Sequence, residues 1–445
     1  MFSKATTGRM NYILLSGGSG KRLWPLSNDV RSKQFIKVFR DDAGNYLSMV
    51  QNIYKQINDI DTNAKITIAT SETQVPMIYN QLGTEVSLCV EPCRRDTFPA
   101  IVLATAYLRD VLHVSEDETV VVCPVDPFVD LNYFAAMQQL DELTQNGVAN
   151  LTLMGIEPTY PSEKYGYIMP KNKDIVSSVD SFKEKPDSKT AEKYIKDGAL
   201  WNAGVFAYKL KYVLNKAEKL LNFVSFEDLL ARYESLEKIS FDYAVVENEQ
   251  DIQVLRFNGE WKDLGTWNAF AEVVEESVIG KGILDSECNN TKIINELDIP
   301  ILCMGLQDVI VAASDQGILV SDKASSDYIK PYVEKIDDTI MFAEKMWGTY
   351  RVISKSDNSL VAQLKIKKNG EISYHYHETR DEIWNVISGE GKVIINGKEC
   401  IVEAGSCIRI PKKTKHSICA NTEMEIIEVQ ISGTKGASDI IECCE

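Results

Sequence analysis

Two stretches of this chain concentrate side chains able to do chemistry. Near the N-terminus, Leu15-Ser16-Gly17-Gly18-Ser19-Gly20-Lys21-Arg22-Leu23-Trp24-Pro25-Leu26 follows directly on a short apolar run. Glycines after a strand let the backbone turn sharply and aim several N–H groups at one anion, and Arg22 and Lys33 add fixed positive charge close by in sequence. A triphosphate suits such a place. The patterns GxxxxGK[ST] and GxGxxG are both absent, Leu23 holding the last position of the second. Taken alone, a glycine-rich turn is structural about as often as functional.

The second stretch is C-terminal. Of the chain's four histidines, His113 stands alone, near the end of a helix-like segment, while His375, His377 and His416 fall in one small region. His375 and His377 flank Tyr376, so on a strand both project to one face. Glu382 follows after a short polar stretch, and His416 lies beyond Pro411. Imidazoles with a carboxylate suit a transition metal, and three His with one Glu leave room for water or substrate. The alternative is a polar barrel mouth holding no metal.

These residues need a frame. The runs Tyr12–Leu15, Ile66–Ala69, Val86–Val90 and Thr119–Cys123 are short and mostly β-branched, and helix-spaced stretches such as 47–57 and 99–112 separate them. Strand and helix alternating to about residue 275 predict an α/β, Rossmann-like layer with a mostly parallel sheet. From about Trp347 turn signals crowd together, and Val393-Ile394-Ile395 before Asn396-Gly397-Lys398 reads as a hairpin, so an all-β sandwich or barrel is expected. The organisation expected is one domain over 10–275, a connecting region with short strands over 276–345, a β-domain over 346–434 and a tail over 435–445. Residues 1–9 are expected to be a loose extension ahead of Met10.

The N-terminal signature is similar to that of sugar-1-phosphate nucleotidyltransferases, GGSGTRLWPLS…PKQF, here GGSGKRLWPLS with Ser32-Lys33-Gln34-Phe35. Further blocks follow in order: Glu91-Pro92-Cys93-Arg94-Arg95-Asp96-Thr97-Phe98-Pro99-Ala100, Pro124-Val125-Asp126, Tyr165-Gly166-Tyr167-Ile168 and Phe182-Lys183-Glu184-Lys185-Pro186. Then come Leu200-Trp201-Asn202-Ala203-Gly204-Val205-Phe206, Ser240-Phe241-Asp242-Tyr243-Ala244-Val245-Val246-Glu247 and Trp261-Lys262-Asp263-Leu264-Gly265-Thr266-Trp267. The set most resembles the long bacterial mannose-1-phosphate guanylyltransferases, often bifunctional. The resemblance implies a GT-A-like sheet and Mg²⁺-dependent transfer from GTP to mannose 1-phosphate or a related sugar phosphate, releasing pyrophosphate. It assigns Mg²⁺ to Asp126 and Asp263, the nucleotide to Gly17, Gly18, Ser19, Gly20, Lys21 and Arg22, and the triphosphate grip to Arg22 and Lys33. Lys185 would hold the sugar phosphate, and Gly166, Glu184 and Asn202 would complete the substrate subsite. Three positions depart from the pattern: Lys21 stands for Thr, Ser32 for Pro, and Pro127 for the His that follows the aspartate.

The C-terminal spacing Gly370-x₄-His375-x-His377-x₄-Glu382-x₆-Gly389, then Gly405-x₅-Pro411-x₄-His416-x₄-Asn421, resembles the two cupin metal blocks. That implies a jelly-roll holding a divalent metal (Zn, Mn, Fe or Ni) on His375, His377, Glu382 and His416. Trp347-Gly348-Thr349-Tyr350, Arg380-x-Glu382-x-Trp384, Ile410-Pro411 and Glu428-Val429-Gln430 extend the likeness to type II mannose-6-phosphate isomerases. Those relatives have Gln at position 375, His at 383 and an Arg where Glu442 stands. An enzyme gripping a phosphosugar needs a cation there, so isomerase activity is expected to be weak, absent or redirected. Two alternatives to a transferase with a merely metal-binding cupin are a bifunctional transferase–isomerase and a silent sugar-nucleotide sensor.

Bulk properties exclude other classes. Lys and Arg number 48 against 65 Asp and Glu, a formal net charge of −17 without a basic block, so nucleic acid and anionic membranes are unsuitable partners. The ten cysteines lack any CxxC pair, which fits free thiols in the cytoplasm. No apolar run reaches the ~18 residues of a membrane span. A homodimer is expected from the resemblance.

Overall fold

The computed structural model describes residues 10–18, 20–336, 339–431 and 439–443. Ser19 of the glycine turn, the 1–9 extension and most of the expected tail lie outside the described residues. The chain divides into two compact units, one built from the first strand with residues 33–75 and 81–265, the other from 20–32, 76–80 and 266–445.

In the first unit, β-branched runs make a nine-stranded sheet. Its strands are β1 (Asn11–Ser16), β2 (Lys65–Ser71), β3 (Ser87–Glu91), β4 (Thr119–Pro124), β6 (Leu151–Ile156), β7 (Tyr167–Pro170), β8 (Val176–Lys183), β9 (Leu200–Lys209) and β10 (Ile252–Phe257), in the order β3-β2-β1-β4-β9-β6-β10-β8-β7. The sheet is mixed: parallel from β3 through β4 and between β6 and β10, antiparallel elsewhere. Helices α1 (Met49–Ile60), α2 (Thr97–Asp110) and α3 (Leu131–Gln145) alternate with the strands, α2 packing on β1 to β3 and α3 on β4, β6, β9 and β10. Ser48 caps α1 in a capping box with Gln51, and Asp130 caps α3. Burial of Ile13, Ile101, Val120, Val122, Leu153 and Phe206 supplies the main driving force for the layer. A two-stranded ribbon, β5 (Pro127–Val129) with β11 (Trp261–Asp263), completes the unit. His113 is exposed past the end of α2.

In the second unit, short strands over 278–322 include Lys292–Asn295, which pairs in parallel with both Val278–Ile279 and Val309–Ser314. The connecting region also holds a helical turn, Lys330–Val333, beyond its short strands. Ten strands then follow in sequence: β12 (Phe342–Lys345), β13 (Gly348–Lys355), β14 (Ser359–Ile366), β15 (Glu371–His377), β16 (Asp381–Ser388), β17 (Glu390–Ile395), β18 (Lys398–Glu403), β19 (Cys407–Ile410), β20 (His416–Ala420) and β21 (Met424–Ile431), with β22 (Ile440–Glu442) later. They form two sheets, β12-β13-β14-β21-β16-β19 and β18-β17-β20-β15-β22, with the hairpin at Asn396-Gly397 joining β17 to β18. Period-2 alternation decides what lies between the sheets. On β21 the inward positions are Met424, Ile426, Glu428 and Gln430, and on β16 they are Glu382, Trp384 and Val386. One end of the interior is therefore apolar, with Trp384, Val393, Ile418 and Ile426, and the other is polar.

Candidate active site and metal centre

The ribbon explains how two distant aspartates meet. Trp261–Asp263 runs antiparallel to Pro127–Val129 with Asp263 opposite Pro127, so Asp126 comes alongside. Pro127 lacks an N–H and sits at the first position of its strand, where a ladder tolerates proline. Lys33 bridges the pair, its Nζ 3.0 Å from Asp126 Oδ2 and 3.2 Å from Asp263 Oδ1. Burial opposes the lysine's charge, but the two carboxylates outweigh it and raise its pKa. Two carboxylates converging on one cationic atom are a donor set that Mg²⁺ accepts, and the geometry fits that ion.

At the glycine turn, Gln34 Nε2 donates to Ser16 O (3.2 Å) at the end of β1. Gln74 and Arg94 donate to Gly18 O at 3.4 and 3.5 Å. A Cβ on Gly17 would stand 3.0 Å from Glu91 Oε1. Glu91 is buried, accepts from Tyr233 (2.8 Å), and burial raises its pKa. In the second unit, Gly20 precedes the 3₁₀ turn Lys21–Leu23, on which Arg22 is exposed and Lys21 pairs with Asp29 at 3.0 Å. Trp24 O accepts from Trp267 Nε1 (3.0 Å) and Pro25 O from Ser314 Oγ (2.7 Å).

The residues expected around the sugar gather in the first unit. Lys185 Nζ donates to buried Glu184 Oε1 at 2.6 Å, and Lys185 N donates to Tyr165 O. Asn202 N donates to Gly166 O (2.8 Å). Gly166 permits this approach: a Cβ there would stand 2.5 Å from Glu184 Oε2. Lys185 holds φ at +44°, an uncommon backbone state for a side-chain-bearing residue and a form of strain found at functional sites. The Tyr165 ring packs on Trp201 (4.8 Å) and Trp261 (5.7 Å), tying this cluster to the strand that ends in Asp263.

Sequence reasoning does not single out Asp242 and Glu247. Asn202 Nδ2 donates to Asp242 Oδ1 at 2.7 Å, and Glu184 N donates to Glu247 Oε1 at 3.1 Å. Burial and the nearby Glu184 push the Asp242 carboxyl up to about 7. A signal for both exists in the Ser240–Glu247 block, whose acidic positions have no helix-face periodicity to explain them.

In the cupin-like domain, His375 is the register partner of His416, and their rings lie 4.3 Å apart. The ligand nitrogens of His375, His377 and His416 fall within 4.8 Å of one another, all buried. Each Nδ1 faces a main-chain carbonyl: Ser373 O at 2.7 Å, Asp439 O at 3.1 Å and Thr414 O at 2.9 Å. Those bonds direct the proton to Nδ1 and leave Nε2 with its lone pair, the tautomer a metal requires. Burial, with His416 alongside, pushes His375 down to about 4, so its imidazole is neutral. Glu382 Oε1 is 2.9 Å from His377 Nε2. Its Oε2 and His416 Nε2, 3.3 Å apart, are both buried without a hydrogen-bond partner. Orphaned acceptors beside three imidazoles fit a metal cation. Arg380 flanks the cluster, donating to Glu382 Oε1 (3.0 Å) and toward His377 Nε2 (3.2 Å), and burial with the Glu382 charge beside it pushes the Glu428 carboxyl well above the usual range. Glu442 is exposed on β22 and accepts from Ser373 Oγ at 2.8 Å.

Such a fold, with a lysine-bridged aspartate pair at its strand ends, defines an α/β nucleotide-transferring enzyme that carries an all-β cupin. Comparison with known proteins agrees. Residues 11–278 match the nucleotidyl transferase family, to which the chain belongs, and residues 335–444 match the mannose-6-phosphate isomerase C-terminal family. Over 471 aligned residues the chain is 27% identical to the mannose-1-phosphate guanylyltransferase RfbM of Salmonella typhimurium (strain LT2), covering 96% of this chain and 95% of that protein. It is 28% identical to the xanthan biosynthesis protein XanB of Xanthomonas campestris pv. campestris (strain B100), covering 96% and 97%. The crystal structure of a Thermus thermophilus protein, named there a mannose-1-phosphate geranyltransferase, superposes with a TM-score of 0.62 at 26% identity, over 74% of this chain and 99% of that one. Among the described residues no helix is long and apolar enough to cross a membrane.

Proposed function

We propose that this enzyme forms GDP-mannose, or a closely related GDP-sugar, from GTP and a sugar 1-phosphate. The observation that carries the reading is the Asp126–Lys33–Asp263 bridge, tied through Trp261 and Tyr165 to the Gly166, Glu184, Lys185 and Asn202 cluster. An oxygen of the sugar phosphate attacks the α-phosphorus in line, forming the new P–O bond as the bond to the β-phosphate bridging oxygen breaks and pyrophosphate leaves. Asp126 and Asp263 hold Mg²⁺, which when bound neutralises phosphate charge. Both reactants are anions, so the protein's work is alignment and charge neutralisation. Lys33 and Arg22 take the triphosphate, and Gly17, Gly18, Ser19, Gly20 and Lys21 offer main-chain donors and a second cation to it. Lys185 holds the sugar phosphate, while Glu184 and Asn202 bond sugar hydroxyls beside Gly166. The domain boundaries near 275, 345 and 434 follow from the same reading, as do a cytoplasmic enzyme and a homodimer.

Pyrophosphate release across four nucleoside triphosphates and several sugar 1-phosphates, with Mg²⁺, tests this. A maximum at GTP with mannose 1-phosphate is expected. Asp263→Ala should abolish release while nucleotide binding and the fold survive, and normal turnover by that variant refutes the metal assignment. The cupin holds a divalent transition metal on His375, His377, Glu382 and His416. Its isomerase activity on mannose 6-phosphate is weak, absent or redirected to another substrate, because Glu442 supplies the wrong charge for a phosphate. A rate within about tenfold of an authentic isomerase overturns that statement.

A further inference from the structure

We infer that the C-terminal strand Ile440–Glu442, with Asp439, is a positioning element of the cupin metal centre, and that metal binding and docking of this strand reinforce each other. The inference rests on the metal-binding reading of the histidine cluster.

Four contacts carry it. Strand β22 pairs antiparallel with the ligand strand β15, with Glu442 opposite His375 and Ile440 opposite His377. The main-chain oxygen of Asp439 accepts from His377 Nδ1, so a residue 62 positions further along the chain sets which imidazole nitrogen faces the metal. The Asp439 carboxylate accepts from Glu378 N (3.2 Å), Thr379 N (3.3 Å) and Thr379 Oγ1 (2.8 Å), pinning the turn that leaves His377. On the His375 side, Ser373 O accepts from His375 Nδ1 while Ser373 Oγ donates to Glu442 Oε1, and Cys443 N donates to Tyr374 O at 2.9 Å. The remaining ligands are supported elsewhere: His416 through Thr414 O, and Glu382 between β21 and β19. Without β22, then, β15 would be an edge strand bearing two of the four ligands, and His377 would lose the acceptor that fixes its tautomer.

Groups that orient metal ligands from outside are worth about 10–100-fold in metal affinity. Binding linkage is reciprocal, so the metal must hold the strand in place by the same factor. The experiment uses the full chain, a chain ending at residue 438, and Asp439→Ala in the full chain. Zn²⁺ affinity is read by chelator competition, Co²⁺ geometry by its visible absorption, and strand docking by hydrogen exchange at the Cys443 amide with and without Zn²⁺. The shortened chain should bind Zn²⁺ about 10–100-fold more weakly and show an altered Co²⁺ spectrum. Asp439→Ala keeps the carbonyl but loses three hydrogen bonds, and should fall between. Zn²⁺ should slow exchange at Cys443 in the full chain. Equal Zn²⁺ affinity in all three chains, or exchange at Cys443 indifferent to Zn²⁺, overturns the inference. Should the shortened chain not fold, Asp439→Ala decides, and affinity within twofold of the full chain refutes the positioning role. Absence of Zn²⁺ binding by the full chain is a different result and refutes the metal reading itself.

Discussion

Lys33→Met tests the electrostatic logic of the transferase site. The ammonium lies 3.0 and 3.2 Å from oxygens of Asp126 and Asp263, which are therefore no more than about 6 Å apart. Methionine keeps the length and removes the charge, leaving two carboxylates facing each other. At that separation their repulsion is about 3 kcal/mol for an effective dielectric of ~20 and under ~1 kcal/mol in water. The side chains are 37% and 31% exposed, against 17% for Lys33, so the value falls between, at about 1–2 kcal/mol. A divalent cation relieves this repulsion and no longer competes with an ammonium. Mn²⁺ affinity, read from water-proton relaxation, should therefore rise about tenfold, since ~1.4 kcal/mol is a factor of ten. Turnover should move the other way, falling by about 10²–10³ as the charge proposed to stabilise the departing pyrophosphate is lost. Opposite signs in the two assays are what the reasoning requires. Mn²⁺ binding that is unchanged or weaker in Lys33→Met, or turnover that persists, would refute it.

Other expectations follow from the same geometry. Asp242 titrates near 3.8 when unfolded and near 7 when folded, so between those values the folded chain binds the extra proton and stability declines as pH rises from about 4 to 7. Asp242→Asn should remove that decline, and urea midpoints at pH 4.5 and 7.5 that shift equally in both proteins would contradict it. Gly317 sits at φ +148° with a Cβ position 2.5 Å from the Trp24 ring, so Gly317→Val should crowd the turn that carries Lys21 and Arg22, lowering stability by about 1–3 kcal/mol and raising the KM for the nucleotide. A thermal melt with steady-state pyrophosphate kinetics reads both effects. Zn²⁺ at about a hundred times its Kd should stabilise the cupin domain by about 2.7 kcal/mol. His416→Ala should abolish that gain, and chelator titration of the melting transition measures it.

Much of the fold was legible because its signals are local. The Asn396-Gly397 turn and the β-branched runs at 12–15 and 119–123 depend on neighbours within a few residues, and each became the expected strand or hairpin. The switch from α/β to all-β was visible for the same reason. The sheet's direction was less so: β9 and β6 carry apolar runs like those of β1 and β4, yet pair antiparallel, because connection geometry rather than composition sets direction.

What the sequence determined by itself is the stock of chemical groups and their local frames: a glycine turn, His375 and His377 on one strand face, and the ordered family blocks. Tertiary structure decided their company. Asp126 and Asp263 meet because the ribbon pairs Pro127 with Asp263, and Lys33 bridges them from a third segment. Asp242 reaches Asn202, and Asp439 supports His377, through contacts spanning 40 and 62 residues. No local pattern encodes such meetings. They follow from burying apolar faces, a non-directional force that brings distant segments together and leaves specific polar contacts to fix where they stop.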